Sequence, residues 1–354
     1  MVKKYIYCEK KFFDLCMTKI ANWYFCEANF EELKLWMCLK ETIFANDIIL
    51  HLDITDGELQ LIRSKNNNDL TLFEKSIKNL IIHKQKVGAV IKKNDSFVNI
   101  DNIDTTNAKQ LTAYYLTCCD SKKCEQCMND YGVLAICPDN IKDFKSILYD
   151  NGTAIGKNEQ VAKNILWKKY INLNPCNSLI LIDNYILQKK HYIYNLENII
   201  DSILPKSLNN NVIFQIYIFT ELKFFQKIKN FYDEIQILIR KIRPKLKFDL
   251  SLFKCNGYFH DRIIATNNVY ISCGSGFNVL DFRREISRIN FISTEMTVLN
   301  VLFPYFPTDI KWGTMAYKNL IKESFNFVNN CNEYQGKDDD YNFFIGSKQN
   351  RLIA

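Results

Sequence analysis

Residues 211–254, NVIFQIYIFTELKFFQKIKNFYDEIQILIRKIRPKLKFDLSLFK, change hydrophobic period twice within one stretch. The run 211–220 is short, apolar and rich in Ile and Phe, as a strand buried on both faces is. From 221 to 242 the apolar residues recur at helical spacing, and Pro244 stops that helix. Residues 245–254 then resume a strand pattern. Upstream, SLILIDNYI (178–186) reads as another buried strand and NLENIIDSIL (195–204) as a helix, with Asn195 as its expected N-cap. Downstream, FHDRIIAT (259–266) and VYISCGS (269–275) read as two further strands. The order β-α-β-α-β-β-β predicts a partly parallel, mixed sheet flanked by helices, because parallel neighbours need a crossover connection.

The polar, glycine-containing stretch DNGTAIGKNE beginning at Asp150 separates this half from the preceding one. In the first half, NFEELKLWMCLKETIF (29–44) and LFEKSIKNLIIHKQ (72–85) have helical spacing, whereas KVGAVIKK (86–93), LTAYYLTCC (111–119) and YGVLAIC (131–137) look like strands. The expected organisation is a mixed α+β domain over 1–150 and an α/β domain over 151–354.

The 354 residues suffice for two domains, and 47% apolar with 24% charged residues excludes a disordered or fibrous chain. The N-terminus lacks the apolar core and cleavage site of a secretory signal, and no run of about 18 apolar residues predicts a transmembrane helix. The expected location is cytoplasmic. Thirteen cysteines, an odd number in a long chain, point to reduced thiols rather than a disulfide framework. The net charge of +7 is unevenly spread: residues 151–354 hold 26 Lys and Arg against 18 Asp and Glu. That half suits an anionic partner.

The chain has four histidines, and one sits in YFHDRIIATNNVYISCGSGFNVLDFRRE (258–285). If 259–266 is a strand, His260 and Arg262 share one face and converge on one anion. Arg offers a planar donor fork, imidazole a proton donor or nucleophile, and Gly274, Ser275 and Gly276 let a phosphate approach backbone N–H groups. Asn267-Asn268 suits the intervening hairpin turn. Arg283 and Arg284, just beyond, add positive charge. At the level of residues three readings stay open: a structural polar cluster, phosphate binding without turnover, and hydrolysis or phosphoryl transfer.

This segment resembles the phospholipase D superfamily, which carries H-x-K-x(4)-D followed six residues later by Gly-Ser or Gly-Gly on a hairpin. Here the pattern is His260-x-Arg262-x(4)-Asn267 and then Gly274-Ser275, with Arg for Lys and Asn for Asp. The form ending Gly274-Ser275-Gly276-Phe277-Asn278 is similar to the phospholipase D-like domain that follows the microtubule-interacting and trafficking (MIT) module. The resemblance spans roughly residues 175–305. It implies His260, Arg262 and Asn267 as catalytic residues, with Gly274, Ser275, Gly276, Asn278, Arg283 and Arg284 around the phosphate. It also implies a metal-independent phosphodiesterase or nuclease working through a phosphohistidine, without a cofactor. Only one such motif is present, so turnover would need a site shared across a homodimer. Relatives with His-Asp-Arg imply instead a non-catalytic module binding a phosphate, nucleotide or lipid headgroup and targeting or regulating the first domain, and peripheral membrane contact stays open.

Cys119, Cys124, Cys127 and Cys137 provide enough thiolates for a tetrahedral zinc site, set against the alternative of buried or free thiols. The surrounding tract, YYLTCCD…CEQCMNDYGVLAICPDN, is similar to a bacterial family related to AbiGi-like abortive-infection proteins. Together the two resemblances imply a bacterial phage-defence or toxin-like protein that binds, and in the catalytic reading hydrolyses, phosphodiesters, with nucleic acid the foremost partner. The aromatic tail YNFFIG (341–346) suggests a further surface for assembly.

Overall fold

A computed structural model describes residues 4–25, 30–45, 48–86, 91–92, 97–103, 107, 110–144, 153–155, 175–188, 192–222, 227–273, 296–300, 310–336 and 342–353. Two sheets organise it. The first has five strands, β1 (Lys4–Cys8), β2 (Ile48–Leu52), β3 (Ile91–Lys92), β4 (Tyr114–Leu116) and β5 (Leu134–Ile136), in the spatial order β3-β2-β1-β4-β5. Every pairing in it is parallel. The first half is therefore an α/β unit with a parallel sheet, a correction to the expected α+β arrangement. The strands KYIYC and IILHL are short, and without them the alternation of strand and helix is lost from the pattern.

Helices α1 (Lys10–Ala21), α2 (Phe30–Phe44), α3 (Asp56–Ser64), α4 (Leu72–Lys86) and α5 (Ser121–Tyr131) accompany this sheet. Alternate side chains of each strand enter different cores, as the period of two requires. Ile6, Leu50 and Leu116 pack with Phe12, Phe13, Trp36 and Leu39 of α1 and α2. Tyr7, Tyr115 and Ala135 pack instead with Cys124 and Cys127 of α5. Helix α3 begins with a complete capping box: the Thr55 hydroxyl accepts from the Glu58 N–H at 3.2 Å, and Glu58 Oε2 accepts from the Thr55 N–H at 2.9 Å.

The second sheet contains β6 (Thr153–Ile155), β7 (Ser178–Ile182), β8 (Phe214–Thr220), β9 (Phe248–Lys254), β10 (Ile263–Thr266), β11 (Val269–Cys273), β12 (Met296–Asn300), β13 (Asn332–Glu333) and β14 (Phe343–Ile345). Their order is β13-β14-β9-β8-β7-β10-β11-β12-β6. The central strands β7, β8 and β9 are mutually parallel, and β10 runs antiparallel beside β7, with Ile263 opposite Ile182 and Thr266 opposite Leu179. This is the mixed, helix-flanked sheet expected from the hydrophobic periods.

Helices α6 (Tyr192–Ile203) and α7 (Ile228–Ile242) lie in the chain between the parallel strands, and α8 (Ile310–Asn330) follows β12. On one face of the sheet, Leu179, Ile216 and Leu250 meet Ile199, Ile235 and Ile239. On the other, Ile180, Tyr217, Phe219 and Phe253 meet Tyr317, Ile321 and Phe327 of α8. Asn195 is buried inside α6 rather than capping it, because the helix starts at Tyr192. Phe343 and Phe344 of the YNFFIG tail are core residues of β14, so they offer no docking surface.

The halves touch through polar and apolar contacts. The Asn177 side-chain amide donates to the carbonyls of Leu111 (2.8 Å) and Tyr131 (2.9 Å), and the Asn209 N–H donates to the Asp130 carbonyl. Val212 completes the core around Tyr115 and Cys127. Gly132, in the left-handed conformation at φ +65°, lies so close to the Cys176 carbonyl that a Cβ would collide with its oxygen.

Candidate functional site

The parallel strands β7, β8 and β9 end together at Ile182, Thr220 and Lys254. The loop Cys255–Arg262 crosses this carboxyl edge and then enters β10. Ligands of open α/β sheets bind at such edges, because the loops there are free of the hydrogen-bond ladder.

Several bonds shape the loop. The Cys255 N–H donates to the Thr220 carbonyl at 2.9 Å, and the Asn184 side-chain amide donates to the Phe259 carbonyl at 2.5 Å. Gly257 turns the chain at φ +67°. Phe259 is buried against Phe219 and Phe327, at centroid distances of 5.1 and 5.6 Å. With Phe259 anchored inward, Tyr258 and His260 on either side face solvent.

Arg262 is half-buried, and its guanidinium lies 5.0 Å from the centroid of the Tyr185 ring. A guanidinium laid on an aromatic face keeps its donors directed along the ring plane. Tyr185 is held in turn by the Asp183 carboxylate, which accepts from the Tyr185 N–H at 2.9 Å. Tyr258 packs edge-on against Phe259 and at a tilt against Phe327, both at 4.9 Å, while 46% of it stays exposed. Tyr185 is 44% exposed. The loop edge therefore presents the exposed His260 and Tyr258 together with an arginine seated over the exposed Tyr185 ring.

The His-x-Arg pair reaches this edge from a loop and not from a strand, since β10 begins only at Ile263. Asn267 does not join it. The four residues of β10 separate Arg262 from Asn267 by five steps of extended chain, roughly 16 Å, and Asn267 lies at the opposite end of the strand. There its side-chain oxygen accepts from the N–H groups of Asn177 (3.0 Å) and Ser178 (3.1 Å), and its amide donates to Asn177 Oδ1 at 3.0 Å. Asn267 is a buried structural residue, a correction to its expected catalytic role. The turn itself is tied by the Thr266 hydroxyl, which accepts from the N–H groups of Asn268 and Val269. Gly274, Ser275, Gly276, Asn278, Arg283 and Arg284 lie outside the described residues.

Among the described residues, no group of three His, Cys, Asp or Glu side chains is placed to hold a metal ion. Cys124, Cys127 and Cys137 are buried in the core beneath α5 and only Cys119 is partly exposed, so burial holds the three inner sulfurs as packed thiols. Burial pushes the Cys127 thiol up to about 12. Of the other histidines, His51 is buried against the rings of Tyr5 and Tyr7, and His83 is exposed beside Phe44.

Arg243 donates from Nε to the Leu204 carbonyl at 2.9 Å and from Nη1 to Asp201 at 3.0 Å, clamping α7 to α6. Tyr185 and Tyr258 lie outside the His-x-Arg motif, and the alternation Tyr258-Phe259-His260 carries a signal for Tyr258 alone. No described helix is long and apolar enough to cross a membrane. A scan against protein-family models and a search of curated protein sequences both return no match.

Proposed function

We propose that the second half binds a phosphodiester at His260 and Arg262, with single-stranded nucleic acid as the ligand, in a bacterial defence or toxin-like setting. The observation that carries this reading is the loop at the carboxyl edge of β7, β8 and β9, which carries exposed Tyr258 and His260 and sets the Arg262 guanidinium over the exposed ring of Tyr185. A cationic track with aromatic platforms suits unpaired bases, which stack without sequence preference. Tyr258 already rests on Phe259 and Phe327, and that support lowers the side-chain entropy lost on stacking. The excess of basic residues in this half supports an anionic partner. The chain has one His-x-Arg motif, and Asn267 is held away from it, so binding without turnover is favoured over cleavage.

Fluorescence anisotropy with labelled single- and double-stranded oligonucleotides, in EDTA, tests the reading. Arg262→Ala is expected to weaken binding about tenfold, the effect of losing roughly 1.4 kcal/mol. Tyr258→Ala should cost roughly 1–3 kcal/mol on single strands and little on duplex. Affinity unchanged in both variants would refute the assignment. Appearance of shortened product with the wild type, absent in His260→Ala, would instead establish the phosphohistidine reading.

A further inference from the structure

We propose that Cys119 and Cys124 form a reversible disulfide when the protein meets a peroxide, making the β4–α5 junction a redox-modified site. The two sulfurs are 3.2 Å apart, against about 2.0 Å in the bond itself. Both backbones are already held. The Cys119 N–H donates to the Thr117 hydroxyl at 3.2 Å, the Cys124 N–H donates to the Asp120 carbonyl at 3.2 Å, and the Asp120 carboxylate caps α5 by accepting from the Lys123 N–H at 2.9 Å. Closing the bond therefore asks for side-chain rotation and leaves the helix in place.

Exposure assigns the two roles. Cys119 is partly exposed and meets the oxidant, whereas Cys124 is buried directly behind it and resolves the product. The Cys119 thiolate attacks a peroxide oxygen, the O–O bond breaks, and the departing hydroxide leaves as water with a proton, giving a sulfenic acid. The Cys124 sulfur then displaces the second oxygen as water while its own proton is lost to it. Two thiols and one hydrogen peroxide thus give one disulfide and two waters.

The neighbours are poorer candidates. Cys118 is more exposed, but burial and the Glu9 carboxylate push its thiol up, away from thiolate. Cys137 contacts Cys124 from the inner side and is itself buried. The place of the pair matters as well. Spatial order reverses between β1 and β4, the position where parallel sheets take ligands. Glu9 spans that junction, its carboxylate accepting from the Thr117 hydroxyl at 2.5 Å and from the Cys118 N–H at 2.8 Å. A Cys119–Cys124 bond would tether the segment that holds Glu9.

Lys122 and Lys123 lie between the two cysteines, so trypsin separates them onto different peptides. Reduced full-length protein is treated with equimolar hydrogen peroxide, alkylated, and digested without reductant. The expected product is a linked pair of peptides, 110–122 with 124–142, whose fragmentation places the bond at Cys119 and Cys124 and which dithiothreitol releases. Cys118→Ser should keep the link and Cys119→Ser should abolish it; circular dichroism confirms that both variants are folded. A bond through Cys118 or Cys137, sulfinic acid at Cys119 without a link, or unmodified thiols after treatment would each overturn the proposal.

Discussion

Asn267 illustrates how one side chain can belong to a motif by spacing and to the scaffold by geometry. Its amide satisfies two buried N–H groups at the start of β7 and donates to Asn177, which itself reaches into the first half. Asn267→Ala orphans those groups and is expected to cost roughly 2–4 kcal/mol in denaturant melts. Asn267→Asp, which restores the carboxylate of the phospholipase D pattern, places an acceptor against Asn177 Oδ1 and buries a charge. Its folded-state pKa is expected above the unfolded value near 3.9. The penalty should therefore grow as pH rises through that range and shrink toward acid, where a protonated carboxyl can donate. Urea titrations of this variant at pH 4 and pH 7 check the sign.

At the scale of elements, local chemistry is sufficient to start some helices. Thr55 and Glu58 cap α3 reciprocally, and Lys10 donates to Glu58 at 2.5 Å, linking α1 to α3. These contacts, the Lys10 bond first and the Thr55 N–H second, lower the Glu58 carboxyl to about 2 from 4.5. Because the folded value lies below the unfolded one, this contribution is present above about pH 4.5 and fades as pH falls toward 2. The pair is substantially exposed, so solvent screening keeps its worth small. Glu58→Gln should cost about 0.5–1 kcal/mol at pH 7 and nothing measurable near pH 2, a difference visible in thermal melts across that range. By contrast, α6 begins at Tyr192 without using Asn195, since burial of Leu196, Ile199 and Ile200 against the sheet sets its frame.

For the whole molecule, the two sheets are joined where Gly132 meets Cys176 and Asn177. The left-handed φ of Gly132 already disfavours a side chain, and the atoms a Cβ would strike are backbone. Gly132→Ala is expected to lower stability by about 2 kcal/mol or more. Differential scanning calorimetry should show the transitions of the two halves drawing apart, whereas an unchanged melt would mean the junction contributes nothing. The tail closes the second half from the other direction: half-buried Arg351 donates from Nη1 to the carbonyls of Asn177 and Ile213 at 3.1 and 2.7 Å. The same Asn177 thus meets the first half, the β10–β11 turn and the chain's last residues.

Runs such as SLILIDNYI and NVIFQIYIFT were legible as buried strands because continuous apolar sequence leaves a strand nowhere else to go. The long helix ahead of Pro244 was legible from its period alone. Short strands such as KYIYC were not, and with them went the parallel character of the first sheet, because pairing partners are distant in sequence. The candidate site was half legible. His260 and Arg262 stood out by residue type, but spacing along a chain does not say which end of a strand a residue occupies. Only the tertiary structure set Asn267 at the far edge, brought Tyr185 beneath Arg262, and placed Cys119 against Cys124, since each of those contacts depends on packing and chain reversal rather than on local pattern.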